Sequence, residues 1–194
     1  MELSAEPLIG RTVRLEPYGE ANRDELQAAL DVDPDAWALF SRSGQGAHFD
    51  RWWSDAVTSA ARGDSVNFVV RSLATNDVVG TTSYLGVNRE HATVEIGATF
   101  YRPEARGGPV NPDCKRRLLG RAFDAGANRV QIVTDARNGR SQAAIAKLGA
   151  FREGVLRASK ITWTGHVRDT VVFSILPAEW PAVRDKLDAR LATA

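Results

Sequence analysis

The segment 102–117, RPEARGGPVNPDCKRR, joins a predicted strand to a predicted helix and carries residue types that bind phosphate. Backbone N–H groups at a helix N-terminus have no intrahelical partner, and the helix dipole adds positive potential, so an anion is favoured there. Gly107 and Gly108 let the backbone approach a ligand closely. Basic residues surround the glycines and suit a polyphosphate: Arg106, Lys115, Arg116, Arg117 and Arg121. A surface loop followed by a solvated basic helix face would show the same composition.

Asn138 and Ser141 stand three residues apart, where the apolar strand 130–133 gives way to a helix. Their amide and hydroxyl groups could face a ligand at the end of that strand. They could equally serve as a turn residue and a helix cap. Glu95 is a carboxylate inside the strand that leads to the phosphate-binding segment. It could take a proton from an amine, directly or through water, or it could anchor the edge of the sheet.

The other reactive residue types give weaker signals. The three histidines, His48, His91 and His166, are scattered without the spacing of metal ligands, so no metal site is predicted. Cys114 has basic neighbours that could lower its pKa. It also falls on the apolar stripe of the helix with Leu118, which favours a packing role over a nucleophilic one.

Composition limits the classes of protein to which the chain can belong. It has 194 residues, a formal net charge of +1 and one cysteine. The length suits a single domain spanning 1–194, and the near-neutral charge gives no general attraction to nucleic acid or anionic lipid. One cysteine excludes an intramolecular disulfide and fits a reducing compartment. The first ten residues lack a secretory pattern, and no apolar run approaches the ~20 residues of a membrane span. A soluble cytoplasmic protein is expected.

Hydrophobic periodicity predicts the elements that would position these residues. Strands are predicted at 8–19, 66–73, 78–87, 92–101, 129–133, 157–163 and 168–176, the last two joined by a turn at Gly165. Helices are predicted from Asn22 or Asp24 to Leu30, and at 47–63, 113–125, 140–148 and 178–191, the last with Pro181 in its first turn. The order indicates one α/β domain, with an antiparallel meander followed by β-α-β crossovers.

Five stretches, taken together, are similar to one enzyme family. They are 13-VRLEP-17, 95-EIG-97, 118-LLGRAFD-124, 138-NGRSQAAIAKLGAFREGVLR-157 and 168-RDTVVFSILPAEW-180. Each alone is unspecific, but in this order and spacing they resemble the GNAT superfamily of acetyl-CoA-dependent N-acetyltransferases, and within it the RimJ/RimL-type branch. The resemblance covers nearly the whole chain. It implies an α/β (α+β) fold with a mixed, mostly antiparallel central sheet, flanking helices and a splayed strand pair that binds acetyl-CoA.

The resemblance also implies roles for individual residues. Glu95 would accept the proton of the amine, and Ser141 would protonate the departing CoA thiolate. Acetyl-CoA, the acyl donor, would contact Thr99, Tyr101, Arg106, Gly107, Gly108, Val110, Asn111, Asn138 and Ser141. The acceptor would be a primary amine of a protein N-terminus or a small molecule, attacking directly. One or two of Trp37, Phe40, Trp52 and Trp53 could line its site, and the rest would pack the first two helices onto the sheet. The resemblance implies no metal and no membrane partner, and it leaves a homodimer open.

The phosphate loop departs from the family pattern at one position. That pattern is Arg/Gln-x-x-Gly-x-Gly/Ala, and Pro109 stands at its second glycine, where it removes one N–H donor. The amides of Gly107, Gly108, Val110 and Asn111 remain. The departure keeps two other hypotheses open. One is a catalytically inactive acyl-CoA-binding regulatory domain of the same fold. The other is a nucleic-acid-binding module using 115-KRR-117, which the near-neutral charge disfavours.

Overall fold

One eight-stranded sheet forms the centre of the molecule, and the computed structural model describes residues 1–193. The strand order is β1-β2-β3-β4-β5-β6-β8-β7. The strands are β1 (Leu8–Ile9), β2 (Val13–Pro17), β3 (Ser65–Ser72), β4 (Val78–Asn88), β5 (Thr93–Tyr101), β6 (Arg129–Asp135), β7 (Phe151–Ile161) and β8 (Val167–Ile175). Every neighbouring pair is antiparallel except β5 and β6. The predicted mixed, mostly antiparallel sheet is therefore confirmed.

Helices cover both faces of this sheet. They are α1 (Glu20–Leu30), α2 (Phe49–Ala61), α3 (Val110–Asp124), α4 (Gly139–Leu148) and α5 (Trp180–Ala192). On one face, α3 and α5 bury Leu118, Leu119 and Leu187 in the larger apolar cluster. On the other face, α1, α2 and the segment between them form a second cluster that includes Trp37 and Trp53. Each helix buries one apolar stripe, as its 3.6-residue periodicity predicts.

The parallel pair β5–β6 is short. It contains three residue pairs, the last of which is Glu95 with Gln131. Beyond this pair the two strands separate, although β5 continues to Tyr101 and β6 to Asp135. Thr81 of β4 pairs with Phe100 of β5, and Ser83 pairs with Gly97. A step of two residues along β4 therefore matches a step of three along β5, so β5 carries a bulge in this separated part. Ala98, inside this bulge, has φ +47, which is uncommon for a residue with a side chain.

Three element predictions need correction. Helix α3 begins at Val110 instead of 113, because Pro109 occupies the N-cap and Pro112 lies within the first turn, where its missing N–H costs little. Strand β7 begins at Phe151 instead of 157, and nearly all of its residues are exposed, so it shows no burial alternation. The segment 8–19, predicted as one strand, folds into the two short antiparallel strands β1 and β2, with Leu8 opposite Leu15. In α4 only Ile145 and Leu148 are buried, and its alanines face solvent.

Candidate active site

The separation of β5 and β6 creates a wedge-shaped gap inside the sheet. Because the two strands are parallel and each is followed by a helix, α3 and α4 both begin at the open end of the gap. Ligands of α/β sheets bind where parallel strands end and helix N-termini converge. The backbone N–H groups of β5 that point towards β6 beyond Glu95 have no strand partner. The gap is therefore the candidate site.

The loop before α3 leaves several backbone donors open. Gly107 has φ +79, a conformation that glycine adopts without strain, and both Gly107 and Gly108 are exposed. No side chain caps α3, so the first-turn amides of Val110 and Asn111 have no capping partner. The helix is held in place from its opposite side, because the buried Asp113 accepts a hydrogen bond from the N–H of Thr12 at 2.7 Å. These features fit an anion bound at the start of α3.

Arg106 and Tyr101, both predicted to contact acetyl-CoA, have side chains engaged inside the protein. Arg106 pairs with Asp33, donates from Nε to the carbonyl of Tyr101 at 2.7 Å, and lies over the Phe100 ring. Tyr101, the last residue of β5, is buried in the larger apolar cluster, and its hydroxyl donates to Asn111 Oδ1 at 3.3 Å. Arg106 and Tyr101 therefore shape the walls of the gap and the start of α3, and a direct contact with the acyl donor stays a prediction.

The basic residues of α3 do not form the solvated face that their composition suggests. Arg116 donates to Asp188 at 2.8 Å and lies over Trp180. Arg117 lies 3.5 Å from Asp113, and Arg121 donates to Ser4 and lies near Glu6. Arg116 thus ties α3 to α5 and Arg121 ties it to the N-terminal segment, so each of the three arginines lies within 4 Å of a carboxylate of this chain.

Lys115, the remaining basic residue, is only 4% exposed. Its Nζ donates to Thr99 Oγ1 at 3.2 Å, and Thr99 shares a 2.8 Å hydrogen bond with Thr82. Burial lowers the pKa of Lys115 from 10.5 to about 8. The Cys114 thiol beside it stays protonated, because burial raises its pKa to about 12. Cys114 therefore supplies no thiolate, and Lys115 is a titratable amine just behind the β5 bulge.

Lys115→Met should stabilise the fold at pH 7. The pKa of Lys115 is lower in the folded chain than in the unfolded chain, so the burial penalty is fully present below pH 8 and is relieved as pH rises from about 8 to 10.5. We expect the variant to gain about 3 kcal/mol of unfolding free energy at pH 7. The gain should shrink across that pH window. Urea unfolding from pH 7 to 10.5 measures both.

Lys147→Met is the matched control, because Lys147 lies exposed on α4. Its unfolding free energy should differ little from that of the unsubstituted protein at every pH in the series. A constant difference between Lys115→Met and the unsubstituted protein across the series would show that Lys115 does not titrate in this window.

Asn138 and Ser141 lie together at the start of α4. Asn138 is the N-cap, and its Oδ1 accepts a hydrogen bond from the N–H of Ser141 at 2.9 Å. Its amide NH₂ remains free to donate. Ser141 is half-buried, and its hydroxyl makes no protein hydrogen bond among the described residues. Asn138 therefore combines a capping role with an open donor, and the Ser141 hydroxyl is available to a ligand at the mouth of the gap.

Glu95 lies at the point where β5 and β6 part. It is half-buried and accepts a hydrogen bond from Gln131 Nε2 at 3.3 Å. The strand register places Glu95, Gln131 and Asp135 on one face of the sheet, the face covered by α1 and α2. Asp135 is held by Arg137, through Nη2 at 2.8 Å and Nε at 3.1 Å. Burial raises the pKa of Asp135, but the hydrogen bonds from Arg137 lower it by more, so the pKa of Asp135 lies below its ordinary value.

A hydrogen-bonded link between the β7–β8 turn and residues 37–41, called the bridge below, crosses this face. Trp163, in the β7–β8 turn, donates from Nε1 to the carbonyl of Trp37 at 2.8 Å and from its backbone N–H to the carbonyl of Ser41 at 3.1 Å. Trp37 itself is buried against Phe100 with stacked rings 5.0 Å apart. Phe40, Trp52 and Trp53 join the same cluster. The aromatic residues of the cluster seal α1 and α2 onto the sheet, and Trp163 ties the β7–β8 turn to the segment between those helices.

Residues 1–193 contain no group of three His, Cys, Asp or Glu side chains placed to hold a metal ion. No helix within the same range is long and apolar enough to span a membrane.

Two features of the site are not predicted from the sequence, namely the burial of Lys115, which is expected from the sequence to suit a polyphosphate, and the position of Arg168. Lys115 occupies the apolar stripe of α3 with Leu118 and Leu119, at spacings of three and four, so periodicity alone could have placed it inside. Arg168 lies on the same face of β8 as Thr170, and Thr170 pairs with Asp135 of β6. The placement of Arg168 on the face of Asp135 therefore follows only from the pairing of β6 with β8. Pairing between distant strands cannot be read from a local pattern.

Comparison with known proteins is consistent with these features. Residues 12–150 match the model of the acetyltransferase (GNAT) domain. A protein from T. thermophilus, assigned as an acetyltransferase, is 36% identical over 98% of this chain and 100% of its own, with a TM-score of 0.86. A GCN5-related N-acetyltransferase from Brucella melitensis is 28% identical over 98% of this chain and 87% of its own, with a TM-score of 0.88. Mycobacterium smegmatis RimJ, in complex with CoA-disulfide, shares the fold at 19% identity, 95% and 92% coverage and a TM-score of 0.79. No curated protein matches the chain.

Proposed function

The chain belongs to the acetyltransferase (GNAT) family, and from this premise we propose that it moves the acetyl group of acetyl-CoA to a primary amine by direct attack. The observation that carries the proposal is the gap between β5 and β6, with Glu95 at its closed end and the starts of α3 and α4 at its open end. The similarity to RimJ is one of fold, so membership of a RimJ/RimL-like branch and a protein N-terminus as acceptor are further proposals.

The residues of the gap divide the binding of the acyl donor between them. The amides of Gly107, Gly108, Val110 and Asn111 would hold the pyrophosphate, because they are open donors at a helix N-terminus. The free amide NH₂ of Asn138 would donate to the pantetheine arm. Thr99, held by Lys115 and Thr82, keeps the bulge of β5 in place beside the arm. The unpartnered N–H groups at this bulge can polarise the thioester carbonyl.

The transfer removes two protons from the nitrogen and delivers one to the sulfur. Glu95 takes the first proton from the ammonium of the acceptor, directly or through water, and the free amine attacks the thioester carbon. The second proton leaves the nitrogen for solvent water as the N–C bond forms and the C–S bond breaks, and Glu95 returns its own proton to solvent. Ser141 donates a proton to the departing thiolate and regains one from solvent. No enzyme nucleophile is required, because proximity alone lowers the barrier by several kcal/mol.

Two measurements test the proposal. Calorimetric titration should detect binding of acetyl-CoA, and release of free CoA thiol should depend on an added amine. Absence of binding to any acyl-CoA would contradict the proposal. Binding without turnover on a broad panel of amines and lysate proteins would instead support the inactive regulatory domain, which the loss of one donor at Pro109 keeps open.

Ser141→Ala should lower kcat about tenfold and leave the affinity for acetyl-CoA nearly unchanged. The expected effect is smaller than the ~10²-fold or more of general acid catalysis, because a thiolate, the conjugate base of a thiol with a pKa of about 8.5, leaves readily without a proton. Loss of an interaction made only as the thiolate departs lowers the rate more than it changes binding. Steady-state kinetics at saturating acetyl-CoA, together with calorimetry, separate the two quantities.

Asn138→Ala is the matched comparison. It removes the cap of α4 and should cost about 1 kcal/mol of stability, while weakening acetyl-CoA binding by about 1–3 kcal/mol. Ser141→Ala leaves this cap intact and should melt like the unsubstituted protein. A normal kcat in Ser141→Ala would mean that the proton reaches the thiolate from water.

A further inference from the structure

The chain contains two buried arginines among its described residues, and they differ in their partners. Arg71 is 8% exposed and is paired with Glu16 at 2.9 Å and Glu25 at 2.7 Å. Arg168 is 6% exposed and has no carboxylate within 4 Å in the described part of the chain. Hydrogen bonds to Glu25 and Glu16 raise the pKa of Arg71, whereas burial lowers that of Arg168. Arg168 is therefore a buried cation that lacks an anion.

The bonding of Arg168 leaves one edge of its guanidinium unused. Nη1 donates to Ser41 Oγ at 3.2 Å, and the buried Nε has no partner. The Nε–Nη2 edge is one of the two faces through which arginine binds a carboxylate with two parallel hydrogen bonds. The nearest acidic groups are already used, because Asp135 is held by Arg137 and Glu95 accepts from Gln131.

An unpaired buried arginine is costly, and arginine cannot escape that cost as lysine does. Lys115 can release its proton near pH 8, whereas a guanidinium stays charged at every physiological pH. A buried charge without a partner costs several kcal/mol, and a bound anion with good geometry offsets that cost. The pattern at Arg168 thus matches that of a binding site whose anion comes from a ligand.

The position of Arg168 places an anion bound to it on the same side of the sheet as Glu95, where the acetyl acceptor is proposed to bind. Arg168 lies on β8, on the same sheet face as Asp135 and Glu95. The charges of Asp135 and Glu95 raise the pKa of Arg168 through space, and the charge of Arg137 lowers it. Ser41 and Trp163 belong to the bridge that covers this face. Arg168 itself is only 6% exposed, which favours a small molecule over a folded protein chain as its partner.

We infer that the acceptor is a small amino acid or a related amine that carries a carboxylate, with the carboxylate bound on the Nε–Nη2 edge of Arg168 and the amine facing Glu95. The inference rests on the proposed acetyl transfer, since it names the acceptor for the same site. Arg168 would select among acceptors by contact with the part of the substrate that does not react.

The test compares acids with their own amides. The probes are the common L-α-amino acids and the ω-amino acids from β-alanine to 6-aminohexanoate, each beside its carboxamide, at saturating acetyl-CoA. At least one acid should exceed its amide in kcat/KM by roughly 30-fold or more, the effect of leaving a buried charge unpaired. A carboxamide lowers the pKa of an α-amine and thereby increases the fraction of free amine, so simple reactivity would favour the amides.

The variant Arg168→Met should abolish this preference, by lowering kcat/KM for the acid roughly 30-fold while leaving that for the amide and the KM for acetyl-CoA unchanged. Arg168→Lys should restore part of the preference. Arg157→Met, at an exposed arginine of β7, is the control and should behave as the unsubstituted protein.

Comparison of acids and amides on the unsubstituted protein needs no variant, so the inference can fail even if Arg168→Met does not fold. Acetylation of amides or proteins, but of none of the acids, overturns the inference and leaves the proposed function standing. Absence of acetyl transfer to any amine overturns both.

Discussion

Glu95→Gln should lower kcat/KM for the acceptor amine by about 10²-fold or more at pH 7, the typical contribution of a positioned base. Glu95 stands where β5 and β6 part, half-buried, with Gln131 orienting its carboxylate. Glutamine keeps the shape and the hydrogen bond but cannot accept the proton of an ammonium group. The loss should be greatest at low pH, where the amine is protonated, and should shrink as pH rises towards the pKa of the acceptor amine, which is about 8 for a peptide α-amine and higher for an amine beside a carboxylate.

Rates measured from pH 6 to 9, with calorimetry for acetyl-CoA, check this expectation. The affinity for acetyl-CoA should stay nearly unchanged, since Glu95 faces the acceptor side of the sheet. Glu90→Gln is the matched control, because Glu90 is an exposed carboxylate in the turn that precedes β5. Unaltered turnover of Glu95→Gln at saturating substrates throughout this pH range would make Glu95 a structural carboxylate.

Gly107→Val should raise the Kd for acetyl-CoA about 100-fold or more. Gly107 has φ +79, and a β-branched side chain there would push the loop out of its conformation. The loop presents several amides to the pyrophosphate. Hydrogen bonds to a charged group contribute about 1.5–3 kcal/mol each, so misplacement of two of them accounts for the expected loss. Calorimetric titration with acetyl-CoA measures the change directly.

Gly126→Val separates backbone strain from loss of the site. Gly126 has φ +84 and is exposed beyond the end of α3, and a Cβ atom there, as at Gly107, would meet no other atom within 4 Å. Both variants should lose similar stability, but only Gly107→Val should lose affinity. Equal affinities in the two variants would place the pyrophosphate elsewhere. Gly108 has no positive φ and has room for a side chain, so a smaller loss is expected from Gly108→Val.

Most strands and helices could be predicted because local patterns determine them. Helix α5 is an example, since Pro181 in its first turn and apolar residues at helical spacing mark it clearly. The strand β7 shows the limit of this approach. It is an edge strand with almost every side chain exposed, so it lacks the run of buried apolar positions that reveals its neighbour β8. Its first six residues therefore escape sequence-based prediction.

The candidate site was only partly predictable. The sequence signals identify Gly107, Asn138 and Ser141, because glycine and polar residues at strand-to-helix junctions follow from local chemistry. Arg168 is different, because its burial and its lack of a carboxylate partner depend on how distant segments fold together. Lys115 lies at helical spacing from Leu118 and Leu119, which indicates the buried face of α3, but lysine usually lies in solvent, so periodicity and residue type conflict at this position. The contact of its Nζ with Thr99 depends on how α3 packs behind the bulge of β5, which no local pattern predicts.

The divergence of β5 from β6 gives the sheet two short internal edges in addition to its outer ones. An outer edge can recruit a strand from another molecule, which is a route to aggregation. The internal edges cannot, because they face each other across a wedge that is closed at Glu95 and flanked by helices. Only a thin, extended molecule with its own donors and acceptors can enter and satisfy both sides. The fold thus keeps unpaired backbone groups available for a linear ligand while shielding them from other polypeptides.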